Sequence, residues 1–322
     1  MKTTNKKDEW VSVYAPASVA NVGPGFDCFG FSLGEPGDIV HARLSNKLGV
    51  RISEIQGDEG SLPVDVQINT AGKAALTIWD QMPELAAKCG IELKIEKGLP
   101  PCSGLGSSAA SAVAGAMASM LIVERQTGLP YDQQKVLYAA LAGEAVASGS
   151  IHADNIAPAL LGGFTIVQSC NPLNIARFEP ALDCSVSIVT PKLLIPTKAA
   201  REILPKEIPL RQAISNWANA ASLVAALLTA DEDLLRSALN DHIVEPVRAR
   251  LIPGFDEAKK AAIQAGAYGC SISGAGPTLF ALTPNNDIAH QACKDMVAVF
   301  ARYNLDCASF VTKISSQGAK IV

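Results

Sequence analysis

A glycine- and serine-rich segment at residues 100–110 has the residue types of a loop that binds phosphate. It stands between a predicted strand and a predicted helix, so backbone N–H groups at the start of the helix would face a bound anion. Gly104 and Gly106 would let the main chain approach that anion closely. The hydroxyls of Ser107 and Ser108 could bind phosphate oxygens or Mg²⁺. The candidate phosphate-binding residues are Pro100, Pro101, Cys102, Ser103, Gly104, Leu105, Gly106, Ser107, Ser108, Ala109 and Ala110.

The same segment differs from two familiar phosphate-binding loops. No lysine follows Gly106, so it is not a P-loop, and its glycine spacing is not that of the dinucleotide-binding G-x-G-x-x-G motif. Without that lysine, the charge of bound phosphates must be neutralised by a metal ion and by residues from elsewhere in the chain. Taken alone, the segment fits a tight strand–helix connection with a serine cap equally well.

Glu144 is the carboxylate that best suits a metal ion. It lies in a stretch of small residues, 142–147, where a carboxylate must be paired, hydrated or bound to metal. Mg²⁺ that is bound together with phosphates needs only one or two protein oxygens, because the phosphates and water supply the other ligands. The alternative interpretation is a glutamate near a helix end that faces water.

Two arginine-containing segments in the second half of the chain could bind a carboxylate. They lie at residues 196–201 and 245–250. A guanidinium group binds a carboxylate through two parallel hydrogen bonds, with a geometric selectivity that lysine lacks. Taken singly, each arginine is more often a solvated surface charge.

The composition favours a small-molecule partner over a polymer. A length of 322 residues suits one large or two medium domains, and a hydrophobic content of 48% with 18% charged residues is enough to form their cores. The net charge is −4 and no Lys/Arg run exceeds two residues, which argues against a nucleic-acid partner or an anionic membrane surface.

The N-terminus and the cysteines indicate a cytoplasmic protein. The first residues are polar and lack an apolar signal segment, and the longest apolar stretches are too short to span a bilayer. The eight cysteines are scattered without a C-x-x-C pair, as expected for reduced thiols. We therefore expect no membrane association.

Strand and helix patterns alternate irregularly along the chain. Strands are predicted at 11–14, 39–44, 50–55, 91–96, 164–168, 186–189, 279–282 and 309–313, and helices at 73–88, 107–124, 131–147, 210–229, 231–240, 255–265 and 288–301. Neither half is a regular β-α repeat, so a mixed α+β architecture is expected. A loop is predicted at 148–155 and a domain boundary near 171–172, which gives domains 1–170 and 171–322.

Three segments resemble motifs of one enzyme family. Residues 100–110 match the phosphate loop, Pro-x-x-x-Gly-Leu-Gly-Ser-Ser-x-Ala, of the GHMP kinases, named for galactokinase, homoserine kinase, mevalonate kinase and phosphomevalonate kinase. Residues 16–27 resemble the first motif in its homoserine kinase version, and residues 266–281 resemble the third. The motifs occur in the right order, and the resemblance covers nearly the whole chain.

The resemblance implies transfer of the γ-phosphoryl group of Mg·ATP to the side-chain hydroxyl of L-homoserine. The resemblance also implies that Ser108 and Glu144 hold Mg²⁺ and that Asp27 binds the ammonium group of the substrate. Arg201 and Arg248 would bind its carboxylate. The implied substrate-binding residues are Asn21, Asp27, His152, Asn155, Thr197, Arg201 and Arg248, and the implied catalytic residues are Asn21, Asn155 and Glu144.

The position of Asn155 bears on the mechanism. By resemblance, mevalonate-kinase-like members carry an aspartate general base there, whereas an amide does not accept a proton at neutral pH. Catalysis would then rest on positioning and charge neutralisation. Asp154 is the alternative base. Arg250 is the alternative to Arg248, which better matches the pattern Arg-x-x-Leu-Ile-Pro.

The resemblance also implies a two-domain GHMP kinase fold of the α+β class. Its N-terminal domain would be ribosomal-S5-domain-2-like, with a left-handed β-α-β crossover, and its C-terminal domain ferredoxin-like. A homodimer is compatible with this. Two alternatives stay open: a mevalonate-type or sugar kinase of the same family, and a catalytically silent ligand-binding module of the same fold. For adenine, the sequence offers only Asn69 and Lys73 as candidates.

Overall fold

The strands of this protein form two separate β-sheets. The computed structural model describes residues 9–148 and 152–322. Within these residues the first sheet contains β1 (Val11–Ala20), β2 (Phe29–Ser45), β3 (Gly49–Gln56), β4 (Gly90–Glu96), β5 (Phe164–Cys170), β6 (Leu173–Phe178) and β11 (Lys320–Ile321). The second sheet contains β7 (Ser185–Pro191), β8 (Gly269–Ile272), β9 (Leu279–Thr283) and β10 (Cys307–Lys313).

The helices cover these sheets and link them. In the first half they are α1 (Thr70–Trp79), α2 (Pro83–Ala86), α3 (Ser107–Thr127), α4 (Gln133–Ser148) and α5 (Ala153–Leu161). In the second half they are α6 (Thr197–Glu202), α7 (Leu210–Thr229), α8 (Glu232–Ala238), α9 (Glu245–Arg248), a 3-10 turn at Ala249–Leu251, α10 (Phe255–Gln264) and α11 (Asn286–Arg302).

The long strand β2 organises the first sheet. It pairs antiparallel with β1 on one side and with β4 and β5 on the other, in the order β11-β1-β2-β4-β3 with β5 and β6 beyond β2. β3 and β4 are parallel and are connected through α1, so the implied β-α-β unit is present. Its left-handed sense stays a prediction. The β2–β4 pairing brings residue 38 close to the start of the phosphate loop.

The second sheet has the order β10-β7-β9-β8 and is antiparallel throughout. In chain order this is 4-1-3-2, with helices between the first and second strands and between the third and fourth. That is the split β-α-β pattern of ferredoxin-like domains. The predicted α+β class with a ferredoxin-like second half is confirmed.

Helix α3 is buried because its residues are small and apolar. Most of its side chains from Ser107 to Val123 are inaccessible to solvent. By length and composition, α3 could span a membrane, but 78% of its apolar window is buried inside the protein. α3 is therefore a core helix whose first turn follows the phosphate loop.

The eight cysteines are all free thiols.

Several predicted boundaries are wrong. The predicted helix 73–88 divides into α1 and α2, because Pro83 lacks an N–H and starts a new helix. The predicted strand 11–14 continues to Ala20. The predicted loop 148–155 is also incorrect at its end, since α5 begins at Ala153 and places Asp154 and Asn155 in its first turn.

The predicted domain boundary falls within a hairpin. Residues 171–172 connect β5 to β6, which pair antiparallel in the first sheet. Strand β6 contains four apolar residues, but none of its six residues is fully buried: each is partly or fully exposed. The first sheet thus continues to Phe178, and the second begins at Ser185. The division into 1–170 and 171–322 stays a prediction.

Candidate active site

A cavity of about 390 Å³ collects residues from all three motif segments. Its lining includes Asn21, Asp27, Ser108, Glu144, His152, Asn155, Thr197, Arg201 and Arg248, together with Pro101, Cys102, Ser103, Gly104, Gly106 and Ser107 from the loop. The structure therefore brings together, in one cavity, the residues that the sequence predicts to bind the substrate and the metal ion. The volume is in the range of small-molecule sites.

The remaining loop residues have a different position. The side chains of Leu105, Ala109 and Ala110 are buried in the core, and Pro100 is exposed. Leu105 and Ala109 could donate to phosphate only through their backbone N–H groups. Pro100 has no N–H, and the N–H of Ala110 donates to the carbonyl of Gly106 at 2.9 Å, so neither offers a free backbone donor to phosphate.

The third motif holds the tip of the phosphate loop. Ser273 Oγ donates a hydrogen bond to the carbonyl of Gly104 at 2.6 Å, and Thr278 Oγ1 donates to the carbonyl of Ser103 at 2.6 Å. Gly104 has φ +85°, and a Cβ there would meet the carbonyl oxygen of Ser273. The close contact between the two motifs requires a glycine at this position.

Gly106 joins the loop to α3. It lies at the N-cap with φ 67° and ψ 30°. A Cβ on this residue would collide with Ser18 Oγ and with Asn155 Oδ1. The glycine therefore lets the start of α3, with its free N–H groups, come directly beside Asn155.

Ser18 connects Asn155 to the loop. Its N–H donates to the carbonyl of Leu105 at 3.1 Å, and its hydroxyl donates to Asn155 Oδ1 at 2.9 Å. With Oδ1 engaged in this way, the amide nitrogen of Asn155 is the atom that can donate to a substrate oxygen. Ser18 lies in the first motif, but nothing in its residue type or spacing distinguished it as a contact of Asn155.

Asn21 links the first and third motifs. Its Nδ2 donates to the carbonyl of Gly274 at 2.7 Å, and its Oδ1 accepts from the N–H of Asp27 at 3.1 Å. Asn21 and Asp27 have φ of 70° and 57°. Left-handed non-glycine residues are uncommon and cluster at functional sites, and Asn and Asp tolerate this region best.

Two arginines lie at one end of the cavity. Arg201 Nη2 donates to both oxygens of Asp27, at 2.7 and 2.9 Å. Arg248 Nη1 donates to the carbonyl of Gly274 at 2.8 Å. Both guanidinium groups lie over the ring of Phe26, at 5.4 and 5.1 Å from its centroid. Two cations and one carboxylate thus surround an aromatic face.

Arg248 is the buried member of the pair. It is 3% exposed, and burial lowers its pKa to about 10, so it remains a cation at neutral pH. Arg250 is exposed, in the 3-10 turn that follows. The structure places Arg248, and not Arg250, at the cavity.

Glu144, His152 and Asp154 form an acidic wall of the cavity. Glu144 is buried, and its Oε1 lies 3.4 Å from His152 Nδ1. Burial alone would lower the pKa of His152, but its hydrogen bond to the Glu144 carboxylate and the charge of Asp154 raise the pKa overall. The imidazole is therefore biased towards its charged form beside Glu144.

Asp154 is the most strongly perturbed carboxyl group at the site. Burial and, to a smaller extent, the Asp27 carboxylate together raise its pKa to about 7, although the charge of His152 opposes the shift. Its Oδ1 is buried and has no hydrogen-bond partner among the residues that the structure describes. Its surroundings therefore favour the protonated, neutral form of the carboxyl group.

The oxygen donors at the cavity fit a magnesium ion that is held mainly by phosphate. Ser108 supplies a hydroxyl and Glu144 a buried carboxylate. Within residues 9–148 and 152–322 there is no group of three or more His, Cys, Asp and Glu side chains that could cage a metal. Mg²⁺ takes one or two protein oxygens and keeps phosphate and water as its other ligands.

Part of the cavity wall is apolar. Leu62, Pro63 and Ile68 line it there, beside Asn69. Asn69 Oδ1 accepts from the N–H of Gly72 as the N-cap of α1. The second sequence candidate for adenine, Lys73, instead points its ammonium at Gln67 Oε1 at 3.3 Å, outside the cavity lining.

Sequence reasoning missed two cavity residues with clear contacts, Phe26 and Lys97. Phe26 lies inside the first motif, so its proximity to Asp27 was the available signal. Lys97 carries no such signal, because its partner Asp38 is distant in sequence and only the sheet brings them together.

Two family models match the chain. One described as GHMP kinases N terminal domain matches residues 69–163, and one described as GHMP kinases C terminal matches residues 223–302. These matches include the phosphate loop, Glu144, Asn155 and the third motif.

Full-length relatives agree with the family models. The homoserine kinase of Chlorobaculum tepidum is 40% identical over 97% of this chain and 98% of its own length. That of Pyrococcus abyssi is 40% identical over 96% of this chain and 98% of its own length. The crystal structure of homoserine kinase from Cytophaga hutchinsonii is 42% identical, covers 100% of this chain and 99% of its own, and superposes with a TM-score of 0.90. This chain belongs to the GHMP kinase family, in its homoserine kinase branch.

Proposed function

We propose that this protein transfers the γ-phosphoryl group of ATP to the side-chain hydroxyl of L-homoserine, giving O-phospho-L-homoserine. The observation that carries the proposal is the polarity of one cavity. One end presents a phosphate loop and a helix N-terminus, and the other presents Asp27 with Arg201 and Arg248. A short zwitterion with a hydroxyl group at its far end fits both ends, because its charged groups can meet Asp27 and the arginines while its hydroxyl faces the phosphate loop.

The charged end suits an amino acid. Asp27 would accept hydrogen bonds from the ammonium group, and the guanidinium groups of Arg201 and Arg248 would bind the carboxylate. Thr197, at the start of α6, also lines the cavity. Mevalonate has a carboxylate but no ammonium group, and a sugar has neither. The paired Asp27 therefore favours an amino acid over these alternatives.

The loop end suits a nucleotide. Backbone N–H groups at residues 103–109 and the dipole of α3 would hold the phosphates. The apolar wall of Leu62, Pro63 and Ile68 would receive the adenine ring. Ser108 and Glu144 would hold Mg²⁺, whose charge neutralises the phosphates that no loop lysine meets.

The acceptor hydroxyl would lie next to Asn155 and Asn21. Asn155 can donate a hydrogen bond from its amide nitrogen, but it cannot take the hydroxyl proton. Phosphoryl transfer has a loose transition state in which positioning and electrostatic stabilisation supply most of the acceleration. His152, held against Glu144, would orient the substrate from the acidic wall. A dedicated general base is then unnecessary.

The test is an ATP-consumption assay with a panel of acceptors: homoserine, mevalonate, galactose, shikimate and water alone. We expect turnover with homoserine to exceed that with every other acceptor by at least about 10²-fold, since a site built for both charged groups rejects analogues that lack one. Preferred turnover of mevalonate or galactose would contradict the proposal. ATP consumption with none of them would favour the silent binding module. A cytoplasmic location and a homodimer stay predictions.

A further inference from the structure

A buried ion pair lies beneath the phosphate loop and has no part in the roles described so far. Asp38 is in β2, and Lys97 directly follows β4. Their side chains are 0% and 2% exposed, and Lys97 Nζ bonds to Asp38 Oδ2. Burial lowers the pKa of Lys97, and the charge of Asp38 opposes this. Two charges removed from water in this way need a compensating arrangement of hydrogen bonds.

The Asp38 carboxylate holds the chain where it enters the loop and where it leaves it. At the entry, Oδ1 accepts from the N–H groups of Gly98 at 3.0 Å and Leu99 at 3.1 Å. At the exit, Oδ2 accepts from Ser111 Oγ at 2.7 Å, in the first turns of α3. One side chain from a neighbouring strand thus connects the strand end to the helix start.

Lys97 completes the same connection. Its ammonium donates to Ser107 Oγ at 2.8 Å and to Ser111 Oγ at 2.8 Å, in addition to Asp38. Ser107 Oγ in turn donates to the carbonyl of Leu99 at 3.0 Å. An ammonium group has three hydrogens, and all three have acceptors within the described part of the chain. Lys97 therefore has no hydrogen left for a phosphate oxygen, and its effect on a nucleotide must be indirect.

We propose that Asp38 and Lys97 are positioning residues for nucleotide binding, which hold the phosphate loop in its anion-binding conformation before the nucleotide arrives. The tip of the loop is held separately by Ser273 and Thr278. Between these anchors lie two glycines, Gly104 and Gly106, whose ordering on binding would carry a large entropic penalty. A loop that is already ordered binds its ligand more tightly, because that penalty is removed.

The proposal can be separated from a purely structural role. Breaking a buried ion pair by changing one partner destabilises a fold strongly, whereas replacing both partners by neutral groups is often close to neutral. The double variant Asp38→Asn/Lys97→Met should therefore keep a melting temperature near that of the unchanged protein, while each single variant melts lower. Ligand binding by the folded double variant then reports on the loop.

The readouts are the Kd for ADP, by calorimetry, and the KM for homoserine. We expect the double variant to bind ADP about 10-fold more weakly, the scale of one lost preorganising contact, with the KM for homoserine within about twofold. The proposal rests on nucleotide use by this cavity, and ADP binding to the unchanged protein checks that separately. An unchanged ADP affinity in the double variant, or equal losses for both ligands, would overturn the positioning role.

Two further variants keep the test decisive. Arg43→Met/Glu92→Gln removes a second ion pair between β2 and β4, at 3.0 Å, and with it the pair of Glu92 with Arg51 of β3. These residues lie outside the cavity lining, so this variant should leave ADP binding unchanged. An equal loss of ADP affinity in this control would contradict a specific role. If the double variant does not fold, Ser111→Ala removes only the hydroxyl shared by Asp38 and Lys97. It should weaken ADP binding about threefold without changing the KM for homoserine, and an unchanged Kd would overturn the proposal.

Discussion

Arg201 and Asp27 bind each other across the substrate end of the cavity, through hydrogen bonds of 2.7 and 2.9 Å. The two groups proposed to bind the carboxylate and the ammonium of the substrate thus neutralise each other in the free protein. Both are partly accessible, at 35% and 39% of their side-chain surface. A zwitterion can replace this pair with two new pairs of the same kind, so that no charge is left without a partner on binding.

The first prediction concerns Arg201. Arg201→Ala should raise the KM for homoserine by roughly 10- to 100-fold, the loss of a charge-assisted contact, and should leave the KM for ATP nearly unchanged. Steady-state kinetics with each substrate varied in turn measures both constants. Arg250→Ala, at an exposed position in the same half, is the matched control and should behave as the unchanged protein. An unaltered KM for homoserine in Arg201→Ala would remove this residue from the carboxylate site.

The second prediction concerns Glu144. Glu144→Gln keeps the shape of the side chain but removes the charge proposed to hold Mg²⁺. The kcat should fall by at least about 10²-fold, the scale for one preorganised electrostatic group. The Mg²⁺ concentration for half-maximal rate should rise as well, which a magnesium titration measures. Turnover close to that of the unchanged protein would exclude the metal role.

The third prediction compares the two glycines that flank α3. Gly106 and Gly128 both have positive φ, +67° and +74°, but a Cβ on Gly106 meets Ser18 and Asn155, whereas a Cβ on Gly128 meets nothing within 4 Å. Gly128→Ala should cost about 1–2 kcal/mol of stability through backbone strain alone, with kcat preserved. Gly106→Ala should in addition lower kcat/KM for ATP, because Asn155 and the loop must move apart.

Thermal melts and initial rates on both variants test this comparison. Equal catalytic losses in the two variants would show that strain, and not the contact with Asn155, decides the effect. The expected pattern is a larger stability loss in Gly106→Ala, where the collisions add to the backbone strain, and a catalytic defect in that variant alone.

The fourth prediction concerns Asp154. Its pKa in the folded protein is raised from the ordinary value of 3.8 to about 7, so the folded state binds the proton more tightly than the unfolded chain. The stability that this group contributes is fully present below about pH 4 and is lost as pH rises through 7. The unchanged protein should lose about 2–3 kcal/mol between pH 5 and pH 8 from this source, and Asp154→Asn should lose less.

Urea unfolding of both proteins at pH 5 and pH 8 measures the difference. The same variant tests the mechanism, since Asp154→Asn should retain most of its kcat if no general base is used. A collapse of kcat in a folded Asp154→Asn protein would identify Asp154 as the base and contradict the assignment to positioning and charge neutralisation.

The positions of the chemical groups along the chain were predictable because they depend on local residue types. A glycine-serine turn before an alanine-rich helix predicts an anion site from helix physics alone, and α3 begins at Ser107 as expected. The pattern Arg-x-x-Leu-Ile-Pro favoured Arg248 over Arg250 as the substrate-binding arginine, and Arg248 is the buried one of the two. In contrast, helix α5 was missed, because its polar start and internal Pro158 resemble a loop.

The sequence by itself determined which residues could bind phosphate, metal and a zwitterion, since those abilities belong to side chains and to short turns. Only the tertiary structure decided how they are held. Asp38 and Lys97 lie 59 residues apart and meet because β2 pairs with β4. Ser18 meets Asn155 over a separation of 137 residues, across the loop at Gly106. Such pairings arise from packing of whole strands and helices, which no local pattern encodes.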